Sequence, residues 1–186
     1  MNEEAQLAWQ IVETTDTSLF LTGRAGTGKT TFLRNLKERT AKCAVVVAPT
    51  GIAALNAGGV TMHSFFQLPF APYVPGTKFG SQGSQVRMSR EKKRVICSID
   101  LLVIDEISMV RADVLDSVDY VLRFCRHSNK PFGGVQLLMI GDLVQLAPVV
   151  KDEEWQILRQ YYPTPYFFSS SALKAAGPLA QSAWVN

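Results

Sequence analysis

Mostly apolar runs of four to six residues alternate along this chain with segments in which apolar residues recur at helical spacing. The runs at 18–21, 43–48, 99–104 and 135–140 are each followed by a glycine, a proline or an aspartate, which predicts buried β-strands. The segments between them carry a single apolar stripe, as helices that cover a sheet do. This alternation predicts an α/β fold, in which a parallel sheet has helices on both faces.

Three helical segments and one long loop complete the pattern. The apolar residues at helical spacing are Ala5, Ala8, Trp9 and Val12, then Phe32, Leu33 and Leu36, then Val114, Leu115, Val118, Val121, Leu122 and Cys125. The segment 70–89 instead contains five Pro and Gly residues with several Ser and Gln, and it has no periodicity. It predicts a loop-rich insertion near 70–90 within one domain that spans 1–186.

Composition narrows the class of protein. Of 186 residues, 47% are apolar and 19% are charged, which excludes a disordered chain and allows a sizeable core. The net charge of +3 is compatible with a nucleic-acid partner but does not require one. The three cysteines are far apart and form no metal-binding pair, and the acidic N-terminus resembles no targeting signal. We expect a protein without a membrane span in a reducing compartment, namely the bacterial cytoplasm or a eukaryotic nucleus or mitochondrion.

A glycine-rich segment supplies the strongest chemical motif. Residues 23–30 match G-x-x-x-x-G-K-[ST] at every fixed position, between a predicted strand and a predicted helix. In such loops backbone N–H groups surround phosphates, and the helix N-terminus adds positive potential. The pattern predicts that Lys29 contacts the β- and γ-phosphates and that the Thr30 hydroxyl binds Mg²⁺. The predicted nucleotide-binding residues in this loop are Gly23, Ala25, Gly26, Thr27, Gly28, Lys29, Thr30 and Thr31.

Two further strand ends carry polar residues. Asp105 and Glu106 directly follow an apolar strand, so Asp105 suits a Mg²⁺ ligand and Glu106 a base that activates water. The alternative, an acidic pair that caps the next segment, is weaker when the glycine-rich loop is present. Gln145 follows the strand at 135–140 and is either a γ-phosphate contact or a polar turn residue.

Five segments in a fixed order resemble a known family. They are Gly23–Thr30, Ala48–Ala54, Thr61–Phe65, Ile104–Met109 and Gly141–Leu146. Together they resemble the petite-integration-frequency (PIF-like) helicases in the 5′-to-3′ branch of superfamily 1, which also includes RecD-like enzymes. Gln6 lies seventeen residues before Gly23, where these helicases have a glutamine that recognises adenine. The resemblance extends from Gln6 to about Leu173.

The resemblance implies a RecA-like P-loop ATPase domain that uses ATP and Mg²⁺ to move on single-stranded DNA and to unwind duplex junctions. By this resemblance Lys29 binds the phosphates, and Thr30 and Asp105 bind the metal. Glu106 activates the attacking water, and Gln145 senses the γ-phosphate. It also places five residues along the DNA, namely Thr50, Gly51, His63, Ser64 and Phe65. One departure from the family pattern is Ala147, where a proline is usual.

The DNA residues also have simpler interpretations. Thr50 is well placed to cap the following helix, and His63 alone is more typical of a structural histidine. Phe65 and Phe66 either stack on bases or belong to the core, and we expect at least one of them to be buried. The basic run formed by Arg87, Arg90, Lys92, Lys93 and Arg94 is more typical of a solvated helix face than of a DNA contact.

Helicases of this kind continue into a second RecA-like domain whose arginines complete the ATP site. We therefore expect the chain to be the first motor domain only, monomeric and weakly active by itself. Three alternatives stay open at this point, namely a ring-forming P-loop ATPase, a RecD-like helicase/nuclease subunit and a nucleotide-regulated binding module.

Overall fold

A computed structural model describes residues 3–23, 26–77, 88–177 and 180–184. Its strands are β1 (Leu19–Gly23), β2 (Ala44–Ala48), β3 (Val60–Thr61), β4 (Leu101–Ile104), β5 (Gln136–Gly141) and β6 (Ala180–Trp184). Its α-helices are α1 (Glu3–Thr14), α2 (Lys29–Arg39), α3 (Gly51–Ala57), α4 (Met62–Phe66), α5 (Arg90–Cys97), α6 (Ala112–Arg126), α7 (Asp152–Leu158) and α8 (Ser171–Ala175). Short 3₁₀ turns span Ile107–Met109, Pro131–Gly134 and Phe167–Ser169.

The six strands form one parallel sheet in the order β3-β2-β4-β5-β1-β6. Val103 in β4 is in register with Val46 in β2 and with Leu138 in β5. Because all strands run in the same direction, their carboxyl ends lie at one edge, where ligands of open α/β sheets bind. The prediction of a parallel sheet is confirmed.

Both faces of the sheet are buried, as the apolar runs predicted. Every residue of β4 is buried, and its side chains alternate between two cores. Leu101 and Val103 belong to the core covered by α1 and α2, whereas Leu102 and Ile104 belong to the core covered by α5 and α6. Among the described residues, no helix is long and apolar enough to cross a bilayer.

Several of the shorter elements were not predicted. A two-residue strand such as β3 and helices of five to seven residues such as α7 and α8 are too short to show a period in the sequence. Residues 70–77 contain no helix or strand, in agreement with the predicted loop, while 78–87 lie outside the described residues. Arg24, Ala25 and Arg87 also lie outside them.

One buried carboxylate joins α6 to the C-terminal part of the chain. Asp116 accepts hydrogen bonds from the Tyr162 hydroxyl (2.8 Å), from the Ser170 hydroxyl and from the backbone N–H groups of Ser171 (3.1 Å) and Ala172 (3.0 Å). Burial and the nearby Asp116 carboxylate raise the pKa of Tyr162, so its phenol stays protonated and continues to donate. Asp116 thus fixes the start of α8 against α6.

We predict that Asp116→Ala lowers the free energy of unfolding by about 3 kcal/mol or more, because a hydrogen bond to a charged group contributes about 1.5–3 kcal/mol. Tyr162→Phe is the matched control, since it removes one donor and leaves the other three, and it should cost about 1.5 kcal/mol. Urea unfolding followed by circular dichroism measures both. Equal losses in the two variants would show that the carboxylate does not hold α8.

Candidate functional site

Two glycines of the loop between β1 and α2 have backbone conformations that suit phosphate binding. Gly26 and Gly28 have φ of 84° and 93°, in the left-handed region that residues with a β-carbon rarely adopt. Gly28 is the N-cap of α2 and has no side chain with which to cap it, so an external anion can take that place. Lys29 Nζ donates to the Gly23 carbonyl and lies 3.4 Å from Thr27 Oγ1. The lysine is thereby held beside its own loop.

The two acidic residues at the end of β4 occupy different backbone conformations. Asp105 Oδ1 accepts a hydrogen bond from the Glu106 backbone N–H (3.0 Å), and Glu106 has a φ of 53°, which is uncommon for a residue other than glycine. Burial raises the pKa of Asp105 and the Glu106 carboxylate adds to this effect, whereas the Lys29 ammonium opposes it. A partly buried carboxylate beside a second acid gains from a bound cation, which fits the predicted metal ligand.

The end of β5 packs closely against the turn that follows Glu106. A β-carbon at Gly141 would lie 2.9 Å from Ile107 Cγ2 and 3.1 Å from the Ser108 backbone nitrogen, so only glycine allows this approach. The next residue, Asp142, is buried and accepts hydrogen bonds from the Val144 N–H (3.0 Å) and from Gln145 Nε2 (3.1 Å). Asp142 therefore sets the position of the Gln145 amide, a role that the sequence analysis missed.

These elements enclose a cavity of about 330 Å³, within the range of small-molecule sites. Its lining residues are Gly26, Gly28, Lys29, Thr30, Thr31, Asp105, Glu106, Gly141, Asp142 and Gln145. The structure thus brings most of the predicted nucleotide residues together at the carboxyl edge of the sheet. Gln6 lies exposed on α1 and does not line this cavity, and its adenine contact stays a prediction.

The predicted DNA residues lie at the next strand ends along the same edge. Thr50 Oγ1 accepts from the Ala53 N–H (3.2 Å), so the capping interpretation is confirmed, and both Thr50 and Gly51 are exposed. His63 and Ser64 lie on α4, where the His63 ring stacks on Phe70 at 5.3 Å between centroids. Burial, and secondly Arg111, lower the pKa of His63, which favours the neutral imidazole.

A second cavity of about 310 Å³ connects these residues to the loop after α4. Its lining includes Thr50, His63, Phe70, Tyr73 and Arg111. Phe70 is 87% exposed, which makes it the accessible aromatic side chain at this cavity. The sequence contained Phe70 at the start of the predicted loop, but nothing in its spacing distinguished it from other loop residues.

Phe65 belongs to the core, which is one of the two interpretations that the sequence left open, and the expectation that at least one of Phe65 and Phe66 is buried is confirmed. The contact of Phe65 with DNA stays a prediction. Phe65 is only 8% exposed, and its ring packs edge-on against the fully buried Phe66 at 4.9 Å between centroids. Lys92 Nζ lies 3.8 Å from the centroid of the Phe65 ring and covers its remaining face. Both phenylalanines belong to the core because α4 is a single short helix whose apolar residues all face the sheet.

Comparison with known proteins places these motifs in a family. Residues 2–161 match the family model described as PIF1-like helicase. The chain is 39% identical over 166 residues to the ATP-dependent DNA helicase PIF1 of Saccharomyces cerevisiae strain YJM789. This alignment covers 84% of this chain and 18% of the relative. It is 38% identical over 173 residues to the human ATP-dependent DNA helicase PIF1, in an alignment that covers 87% of this chain and 23% of the relative.

Solved structures of Pif1 helicases are also similar to this chain. The Bacteroides Pif1 helicase in complex with ADP-AlF3 and ssDNA superposes with a TM-score of 0.92 at 43% identity, over 100% of this chain and 42% of that chain. The Candida albicans Pif1 helicase gives a TM-score of 0.74 at 31% identity, over 100% of this chain and 40% of that chain. The chain spans about a fifth of the curated relatives and less than half of these structures. The RecA-like α/β fold is confirmed, and the chain belongs to the PIF1-like helicase family.

Proposed function

We propose that this chain is the ATP-binding motor domain of an ATP-dependent 5′-to-3′ DNA helicase and couples ATP hydrolysis to movement on single-stranded DNA. The observation that carries the proposal is the cavity in which the glycine-rich loop, the acidic pair and Gln145 meet. A similar structure was solved with ADP-AlF3 and ssDNA, which supports both ligands. Family membership argues against the ring-forming and RecD-like alternatives. Duplex junctions as substrates and an intracellular location belong to the same proposal.

Nucleotide binding follows from the residues around the loop. The N–H groups at the start of α2 and the Lys29 ammonium supply positive potential for the β- and γ-phosphates. To reach the phosphates, Lys29 exchanges its hydrogen bond to the neutral Gly23 carbonyl for hydrogen bonds to negatively charged phosphate oxygens. Thr30 and Asp105 line the same cavity and suit Mg²⁺, whose positive charge would offset the charge on the phosphate oxygens.

Hydrolysis requires a base and a positioned amide. The hydrogen bond from the Glu106 N–H to Asp105 and the left-handed backbone at Glu106 separate the two carboxylates, so that each has its own role. Glu106 accepts the proton of the attacking water, while Asp105 is reserved for the metal. Gln145, oriented by Asp142, detects whether the γ-phosphate is present.

The DNA residues are joined to this site through the sheet. The Asp105 N–H donates to the Val47 carbonyl (2.9 Å), and β2 ends one residue later at Ala48, two residues before the exposed Thr50 that caps α3. The N-terminus of α3 offers backbone N–H groups at the rim of the second cavity, where DNA phosphates would bind. Movement at Asp105 is therefore transmitted to the DNA contacts by one hydrogen-bonded strand pair.

We predict that Glu106→Gln leaves ATP affinity within a few-fold of the original but lowers DNA-stimulated turnover of the full-length enzyme by roughly 10²–10⁴-fold, because the side chain keeps its shape and loses its basicity. Calorimetry and a coupled ATPase assay with oligo-dT measure the two effects. Asp105→Asn is the matched control, and it should weaken Mg²⁺-dependent binding itself. If Glu106→Gln abolishes binding, the roles assigned to the two acids are wrong.

We predict that Asp142→Ala lowers DNA-stimulated turnover about tenfold with little effect on ATP affinity, because Gln145 loses the hydrogen bond that orients it. Gln145→Ala should have a similar effect. The double variant should be no slower than either single variant, since both changes remove the same interaction. Additive losses would show that Asp142 acts independently of Gln145.

A further inference from the structure

A basic and aromatic surface lies on α5 and on the C-terminal half of α6. We define this α5–α6 surface by Lys93, Tyr120, Arg123, Phe124 and His127. Because α6 connects the carboxyl end of β4 to the amino end of β5, its last turns lie toward the sheet edge opposite the nucleotide cavity. None of these five residues lines that cavity. Lys93 belongs to the basic run that the sequence analysis interpreted as a solvated helix face, and the other four carry no earlier assignment.

The aromatic rings on this surface are arranged for stacking. Tyr120 and Phe124, one helical turn apart, have nearly parallel rings at an angle of 6°, with 6.3 Å between centroids. Phe124 is 52% exposed, so one face of its ring is accessible to a ligand. Lys93 Nζ lies 5.6 Å from the Phe124 centroid, and Tyr73 lies 6.2 Å from Tyr120. Cations therefore border the accessible ring.

An open groove of about 620 Å³ runs beside these rings. Its lining includes the rings of Tyr73, Tyr120 and Phe124 and the hydrogen-bond donor Arg123, together with one acid, Asp119. Tyr73 also lines the second cavity, so the groove and the region of Thr50 and His63 share one side chain.

The positive charge of the protein is concentrated here. Segments 88–100 and 119–130 together contain seven Lys and Arg and three Asp and Glu, which gives them a net charge of +4. Because the net charge of the whole chain is +3, the remaining residues carry a net charge of −1. Asp119, the acid on this part of α6, is buried, pairs with Arg123 at 3.4 Å and accepts from the Phe132 N–H. The surface consequently attracts polyanions more strongly than the rest of the domain.

We propose that the α5–α6 surface binds single-stranded DNA beyond the motor track, with a base stacked on Phe124 and phosphates paired with Lys93 and Arg123. Aromatic faces interleaved with cations are the combination that binds unpaired strands without sequence preference. The centres of protein interfaces are instead depleted in lysine and other charged residues. The choice of DNA over an acidic protein as the ligand rests on the proposed function. Binding of DNA to this surface would not depend on bound ATP.

The test measures binding of a fluorescein-labelled dT oligonucleotide of about 16 nucleotides to the 186-residue chain by anisotropy, in EDTA and without nucleotide. Phe124→Ala should lower affinity about 5- to 150-fold, the equivalent of one lost stacked base. Lys93→Ala should reduce the slope of log affinity against log salt by about one. Phe168→Ala is the matched control, because Phe168 is 46% exposed and stacks on Tyr166 at 5.2 Å between centroids on another surface.

Photocross-linking with 5-iodouracil in the same oligonucleotide separates this surface from the motor track. We expect cross-links at Tyr120 or Phe124 in addition to those near His63 and Phe70. Cross-links confined to residues 50–70, together with unchanged affinity in Phe124→Ala, would overturn the proposal. The assignment of the motor track would stand, and an acidic protein would then be the better partner for the α5–α6 surface. Absence of any DNA binding by the chain at low salt would overturn both assignments. Equal losses in Phe124→Ala and Phe168→Ala would also overturn it, because the effect would not be specific to α6.

Discussion

Parallel alignment of β1, β2, β4 and β5 is the constraint on which the rest of the structure depends. It sends the glycine-rich loop, Thr50, the Asp105–Glu106 pair and Gly141 to a single edge of the sheet, although they are up to 118 residues apart in the chain. The alignment is stabilised by burial on both faces, since β4 contributes alternate side chains to two cores. The chemistry of the edge is therefore supported by apolar side chains that never contact the ligand.

Within that edge, two close contacts link the chemical groups to one another. The hydrogen bond from the Asp105 N–H to the Val47 carbonyl joins the end of β4, with its acidic pair, to the strand that leads to Thr50. The approach of Gly141 to Ile107 joins the turn after Glu106 to the loop that carries Gln145. Each contact leaves little free space, so a displacement at one strand end must be accommodated at its neighbour. This arrangement is what a motor that couples nucleotide state to DNA contacts needs.

The sequence predicted the parts of this structure that depend on local pattern. The four main strands, the helices α1, α2 and α6 and the glycine-rich loop follow from periodicity and from motif spacing. The choice between the two interpretations of Phe65 could not be made from the sequence, because the spacing of two adjacent phenylalanines does not reveal that both face the core or that Lys92 covers one of them. The roles of Asp142 and Asp116 were not predictable either. Each depends on hydrogen bonds whose geometry exists only after folding, and in the case of Asp116 the partners are 46 to 56 residues away.

The most direct test of the central claim is amide hydrogen exchange of the chain with and without Mg²⁺ and a non-hydrolysable ATP analogue. If one nucleotide site unites the three strand ends, exchange should slow together in residues 26–31, 105–107 and 142–145, which line or adjoin the same cavity. Exchange in α5 should stay unchanged, because α5 contributes no residue to that cavity. Protection confined to 26–31, or absent from all three segments, would contradict the account.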